Sequence, residues 1–180
     1  MLMSAYFIWY DKNMTTRLAT SDDKDKIIEM YIRSQQFTGI PDSTANPPAE
    51  LGKKLYARNT LERYVTEMNG EIICHGLIDY PNSEHIQCWS ENGDNDLTLE
   101  NTLELGGSFV SPNYMKRGIW TALLEYRLRI VREKYNKIPV SATWVQNEHV
   151  KEVFRRFGGK EVGVNKVAGG EVSLFIFPKS

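Results

Sequence analysis

The sequence predicts one α/β domain, a mixed and mostly antiparallel sheet flanked by helices. Three observations predict it. Short β-rich runs with two-residue alternation recur along the chain. Segments whose apolar residues recur at helical spacing stand between them. The length, 180 residues with 41% hydrophobic and 25% charged side chains, suits a single soluble domain with a real core.

The elements follow in order. "TTRLAT" (15–20) reads as a strand. "SDD" then starts a helix, with carboxylates where the helix dipole favours them, and Ile27, Ile28, Tyr31 and Ile32 carry it from about 22 to 36. "FTGIPDSTANPP" breaks it into a loop, and "AELGKKLYARN" is a short second helix. "LERYVTEMNGEIICHGLIDY" is a hairpin whose turn is Asn69-Gly70. Residues 81–100 are polar, with "HIQCW" as a candidate extension of the sheet. "TLELGGSFV" (102–110) is the next strand, and its glycine pair predicts a bulge. Residues 118–135 form a long helix that buries Ile119, Leu123, Tyr126 and Ile130. "IPVSATWV" is a strand, "NEHVKEVFRRFGG" a short helix capped by Asn147 and stopped by Gly158, and "KEVGVNKV" and "GEVSLFIFP" are the final strands. The predicted order is β-α-α-β-β-β-α-β-α-β-β, without repeats.

Composition narrows the function. The apolar opening "MLMSAYFIWY" is too short to span a bilayer and lacks a signal peptide's cationic start, so no membrane partner is expected. Cys74 and Cys88 do not make a disulfide framework, which points to a reducing cytoplasm. A net charge of −1 disfavours nucleic acid, but it hides an asymmetry: residues 1–100 carry −7 and residues 101–180 carry +6. Adjacent Cys74 and His75 face opposite ways on a strand, and paired ligands at zinc spacing are missing, so no metal is expected. No Walker loop, GxSxG elbow or HExxH is present.

"SPNYMKRGIW" (111–120) carries the chemistry. It sets Lys116, Arg117 and Gly118 at the mouth of the long helix, directly after a strand. A helix N-terminus offers unpaired N–H groups and partial positive charge, and a glycine lets backbone approach a ligand. With two cations beside it, this is a candidate cradle for a pyrophosphate.

In "FVSPNYMKRGIWTALL", Val110, Pro112, Tyr114 and Gly118 fall in register with a strand ending V-x-P-x-y that leads into Arg/Gln-x-x-Gly-x-Gly/Ala and a long helix. Asn147 and Gly158-Gly159 follow at the matching places, and "TRLATSDDKDKIIEMY" matches the opening strand and helix. On these motifs the chain resembles the GNAT superfamily of CoA-dependent N-acyltransferases over roughly residues 15–178, with residues 1–14 as an extension. The resemblance implies a sheet splayed between strands 4 and 5 and an acetyl-CoA co-substrate. The backbone of Phe109 and Val110 would pair with the pantetheine arm. Met115, Lys116, Arg117, Gly118, Ile119, Trp120 and Thr121 would hold the pyrophosphate, and Asn147 would orient the arm. The basic second half then suits the anionic coenzyme. Homodimers are common in the family, and "AYFIWY" is a candidate contact.

Four departures are visible. Met115 stands for Arg or Gln, Trp120 for a small residue, Gly159 for Phe, and Phe154 for a Tyr that protonates the leaving thiolate in many members. The reaction expected is acetyl transfer to a primary amine by direct attack in a ternary complex. A lysine-type amine at pH 7 needs about 4.6 kcal/mol to become neutral, and an α-amine only about 1 kcal/mol. Glu104 is the candidate base, on a strand face predicted to run Glu104, Gly106, Ser108, Val110. The N–H of Val110 is the candidate oxyanion donor, and Tyr114 or Tyr126 the candidate acid. The acceptor, small molecule or protein amine, stays open. Residues 79–100, with six acids and no Lys or Arg, suit a cation. The alternative is a non-catalytic acyl-CoA-binding or regulatory module, suggested by Met115, Trp120 and Phe154.

Overall fold

Seven strands form one sheet in the order β1-β2-β3-β4-β5-β7-β6. The computed structural model describes residues 13–38, 50, 56, 60–92, 96–167 and 170–178. The strands are β1 Met14–Leu18, β2 Thr60–Met68, β3 Glu71–Asp79, β4 Thr102–Val110, β5 Ile138–Trp144, β6 Lys160–Val167 and β7 Gly170–Ile176. The helices are α1 Lys24–Thr38, α2 Ser83–Asn92, α3 Ile119–Arg129 and α4 Glu148–Arg156. Every strand pair is antiparallel except β4 with β5. The expected extension at 1–14, the proline-rich loop and the short helix at 49–59 fall outside the described residues, apart from Asn13, Met14, Phe37, Thr38, Glu50 and Tyr56; Phe37 and Thr38, expected in the loop, are the last residues of α1.

The hairpin forms as its turn residues require. Asn69 and Gly70 take φ of 52° and 80°, the left-handed pair that matches the twist of β2 and β3. One expectation fails: "HIQCW" belongs to α2, not to the sheet. Asn82 caps that helix, its Oδ1 accepting from the His85 N–H at 2.7 Å. Trp89, one turn further on, is buried with Leu97, Val140, Leu174 and Ile176. An indole buried on that scale stabilises by several kcal/mol, which outweighs the weak helix propensity of the segment.

The sheet has two covered faces. α3 and α4 pack on one through Ile119, Leu123, Leu124, Leu128, Val153 and Phe154. α1 packs on the other through Ile27 and Met30, and α2 covers the far end of that second face. The predicted α3 stripe is half met. Ile119 and Leu123 are buried, Tyr126 and Ile130 only partly so, and the buried face is completed by Leu124, Arg127, Leu128 and Val131.

Candidate active site

β4 and β5 lie in register only at Thr102↔Ile138, Leu103↔Pro139 and Glu104↔Val140. Beyond Glu104 the strands part, and β5 continues on β7 alone. Ser141 pins the apex, its hydroxyl donating to the Leu105 carbonyl at 2.7 Å. The open side of β4 therefore carries main-chain groups with no strand to pair them. Ser111 donates its N–H to Ile73 O on β3 at 2.9 Å. Successive N–H groups of a strand alternate, so that of Val110 is turned toward the gap. By the same alternation the main chain of Phe109 is turned to β3. Its ring stacks on His75, centroids 4.6 Å apart, so of the two expected arm-binding residues Val110 is the one that faces the cleft.

A bulge sits where the glycine pair predicted one. β3 passes from His75↔Phe109 to Leu77↔Gly106, so Gly107 and Ser108 together oppose Gly76, and Gly107 has φ 53°. This corrects the expected single face. Leu103 and Leu105 pack under α3, which leaves Glu104 on the α1/α2 face. Past the bulge the alternation is inverted: Ser108 reaches α3, Val110 packs beside the α3 cluster and Phe109 turns to α1.

Two buried side chains hold the bulge from opposite sides. On the α3 face the fully buried Arg127 donates to Leu77 O at 2.9 Å, Gly106 O at 3.2 Å and Ser108 Oγ at 2.7 Å. Burial pushes its pKa down to about 10, so it is still a cation at neutral pH. On the α1 face, His75 Nδ1–H donates to Gly107 O at 2.8 Å and Nε2 accepts from Arg63 at 3.0 Å. Burial first, then the Arg63 charge, pulls His75 down to about 3, and the ring is neutral. Sequence reading missed both residues. The signal was there in part: Gly76 lies between them because a side chain at that place would overlap the guanidinium.

Beyond Val110 the chain turns through Pro112–Tyr114 into α3. Lys116 (φ 61°) and Gly118 (φ 75°) are left-handed on either side of Arg117, the kind of turn whose successive N–H groups can converge on an anion. Gly118 is the N-cap and supplies no side chain, which leaves the first-turn N–H groups of Ile119, Trp120 and Thr121 without a side-chain cap. Lys116, Arg117 and Gly118 are exposed, and Met115 is partly so. The Trp120 indole leans on Phe154 at 6.0 Å, toward the core rather than across the mouth.

Glu104 stands at the apex of the gap, and its Oε2 accepts from His85 Nδ1 at 2.9 Å. Asp79 is its register partner on β3 and is buried. Asn147 accepts from the Val150 N–H at 3.4 Å as the α4 cap, so its side chain already serves its own helix. Of the two candidate acids, Tyr114 has its hydroxyl engaged and Tyr126 makes a ring contact. Tyr114 donates to Glu71 at 2.9 Å, and Tyr126 sets its ring edge-on to Tyr64 at 5.4 Å. Among the described residues no group of three or more His, Cys, Asp or Glu is placed to hold a metal ion, and no helix is long and apolar enough to cross a membrane.

A parting parallel pair, a bulged fourth strand and a cationic helix mouth form one pattern, and a family model bears on it directly. The model described as the acetyltransferase (GNAT) family matches residues 25–159. The chain belongs to that family. An uncharacterised N-acetyltransferase of Methanocaldococcus jannaschii is 25% identical over 156 residues, 86% of this chain and 64% of the relative. The chain therefore spans just under two thirds of that relative's length. Among solved structures, an N-acetyltransferase from Staphylococcus aureus Mu50 superposes with TM-score 0.69 at 16% identity, covering 93% of this chain and 99% of that one. The Salmonella typhimurium protein yncA, determined with its cofactor acetyl-CoA, gives 0.65 at 20% identity, covering 93% and 95%. These two likenesses are of fold. Within this GNAT chain the departures at Phe154 and Gly159 are packing changes. Phe154 is buried against Phe175 and Phe177, and Gly159 admits the Phe154 carbonyl, which a Cβ there would meet at 2.8 Å.

Proposed function

We propose that this protein transfers an acetyl group from acetyl-CoA to a primary amine by direct attack in a ternary complex. The observation that carries the reading is the continuity of the gap beside Val110 with the cationic mouth of α3. An unpaired strand edge for an amide-bearing arm leads, within a few residues, to a concavity of N–H groups for a diphosphate. When bound, acetyl-CoA supplies the thioester that is broken. Lys116, Arg117 and the amides from Met115 to Thr121 hold its pyrophosphate. The Val110 edge aligns the arm, and the Val110 N–H steadies the negative oxygen that develops as the amine attacks. Glu104 stands at the apex as the carboxylate of the proton-accepting site. A reducing cytoplasm suits Cys74 and Cys88, both free thiols.

The acidic stretch at 79–100 favours a cationic acceptor, drawn to the Glu104 side of the sheet. A second reading, a module that binds acyl-CoA without turnover, is favoured by Phe154, which brings no hydroxyl to the α4 side. Thiol release from acetyl-CoA across a panel of amines tests the first against the second. Thermal shift with acetyl-CoA tests both, because a ligand at 100 times its Kd stabilises by about 2.7 kcal/mol. A shift with no thiol release for any amine favours the binder. No shift overturns both.

A further inference from the structure

We propose that His85, oriented by Glu104, takes the proton from the attacking amine. The inference rests on the transfer reaction above and names the group that performs its proton step.

The placement comes from α2, the helix between β3 and β4. Asn82 fixes its first turn, accepting from the His85 N–H through Oδ1 and from the Ile86 N–H, at 3.0 Å, through its carbonyl. Trp89 anchors the next turn in the core. His85 precedes Trp89 by four residues and so shares its face, ring centroids 5.9 Å apart and edge to face. The helix is thereby held where the imidazole meets Glu104, the last residue of β4 that β5 pairs before the gap opens.

The pair is asymmetric. The Glu104 side chain is 12% exposed and that of His85 41%, so an arriving amine reaches the imidazole before the carboxylate. A carboxylate only accepts, so the hydrogen between them belongs to His85 Nδ1, and in the neutral ring the lone pair is on Nε2. A base is most effective when its pKa is near the working pH, which describes an imidazole (about 6.5) better than a carboxylate (about 4.3). Among the described residues the carboxylate in contact with the ring is that of Glu104, and it favours the imidazolium that forms. Asp79 on β3 stands with Glu104 within about 4 Å of the Gly106 position, Glu84 precedes His85 on α2, and from β6 the helix meets the neutral Asn165.

The step balances. The amine nitrogen forms the C–N bond to the thioester carbonyl carbon, and its proton passes to Nε2. The C–S bond then breaks, the departing sulfur takes up one proton and the imidazolium gives one up. Products are an amide and a thiol, with His85 neutral again.

Two measurements test this. Long-range proton–nitrogen NMR of the three histidines, His75, His85 and His149, should find His85 as the Nδ1–H tautomer. Its signals are assigned by their loss in His85→Gln. An Nε2–H tautomer overturns the proposal. Thiol release with spermidine and with glycinamide should show a rise in kcat/KM with an inflection near neutrality. His85→Gln should lower kcat/KM about 100-fold at pH 7 and abolish that inflection, with KM for acetyl-CoA unchanged. Glu104→Gln should move the inflection to lower pH instead of removing it. A His85→Gln enzyme with the wild-type rate and profile overturns the role of His85 and leaves the transfer reaction standing. A wild-type protein that releases no thiol with either amine overturns both.

Discussion

Gly76→Ala is the sharpest perturbation that the fold offers, because it attacks the bulge without touching a reacting group. A Cβ at Gly76 would stand 2.5 Å from Arg127 Cζ, 2.6 Å from Nη1 and 2.9 Å from Nε. Carbon contacts relax at about 3.5 Å, so the guanidinium must withdraw by about 1 Å. That stretches its bonds to Leu77 O and Ser108 Oγ, now 2.9 and 2.7 Å, past hydrogen-bonding range. Bonds to a charged donor are worth about 1.5–3 kcal/mol each, so losing two predicts a destabilisation of about 3–4 kcal/mol after partial relaxation. In urea, with a slope of about 2 kcal/mol/M, the midpoint should fall by about 1.5–2 M. Arg127→Met removes the obstructing group, so the same alanine should then cost under about 1 kcal/mol, a coupling that a double-mutant cycle reads directly. A Gly76→Ala protein within about 0.5 kcal/mol of wild type, or strict additivity in the cycle, refutes the account of the clamp.

Acid should weaken the fold through His75. Above its ordinary pKa of 6.5 neither the folded nor the unfolded chain protonates it. As pH falls from 6.5 toward about 3 the unfolded chain binds a proton that the folded one refuses. Stability should drop by about 1.4 kcal/mol per pH unit, or about 2 kcal/mol by pH 5, and equal urea midpoints at pH 7.5 and 5 would contradict this. Asp23, held below its usual range by Arg17, adds its loss only below about pH 4. Replacing Lys116 and Arg117 together by alanine should weaken acetyl-CoA binding about tenfold at low salt and flatten its salt dependence, measured by titration calorimetry. Unchanged affinity would move the diphosphate elsewhere. Trp120→Ala should cost about 1–2 kcal/mol in stability, because the half-buried indole packs on Phe154, yet leave the acetyl-CoA Kd within twofold. A large loss of affinity would place the indole in the coenzyme's path.

The strands, the hairpin turn and the helix mouth were legible because each is dictated locally. Asn69-Gly70 accepts left-handed φ, alternation marks a strand, and Gly118 marks the start of the long helix with Lys116 and Arg117 beside it. α2 was not legible from its β-prone "HIQCW", since its helicity is decided by burying Trp89 against β5 and β7, a contact that no local pattern displays. The Asn82 cap, with Glu84 in the first turn, was the local signal that could have found it. Arg127 was hidden for a related reason. A cation on a helical stripe reads as solvent-facing, and only the inverted face of a bulge supplies enough carbonyls to bury it.

Under the proposed reaction the bulge matters because it separates two tasks that a regular strand would place on one face. With unbroken alternation Glu104 and the Val110 side chain would project together, crowding the carboxylate against the arm of the coenzyme. Inserting one residue between them leaves the Glu104 carboxylate on the side covered by α1 and α2, where His85 waits. It also leaves the Val110 N–H in the plane of the sheet, facing the gap. Donor and acceptor can then approach the reacting carbon from different sides of β4. The arrangement needs a bulge that does not slip, and this chain fixes it with a guanidinium above and an imidazole below. A slipped bulge would return Glu104 and Val110 to a common face. That is why a substitution at Gly76, on the strand paired directly with β4, should be felt in the rate of the proposed transfer.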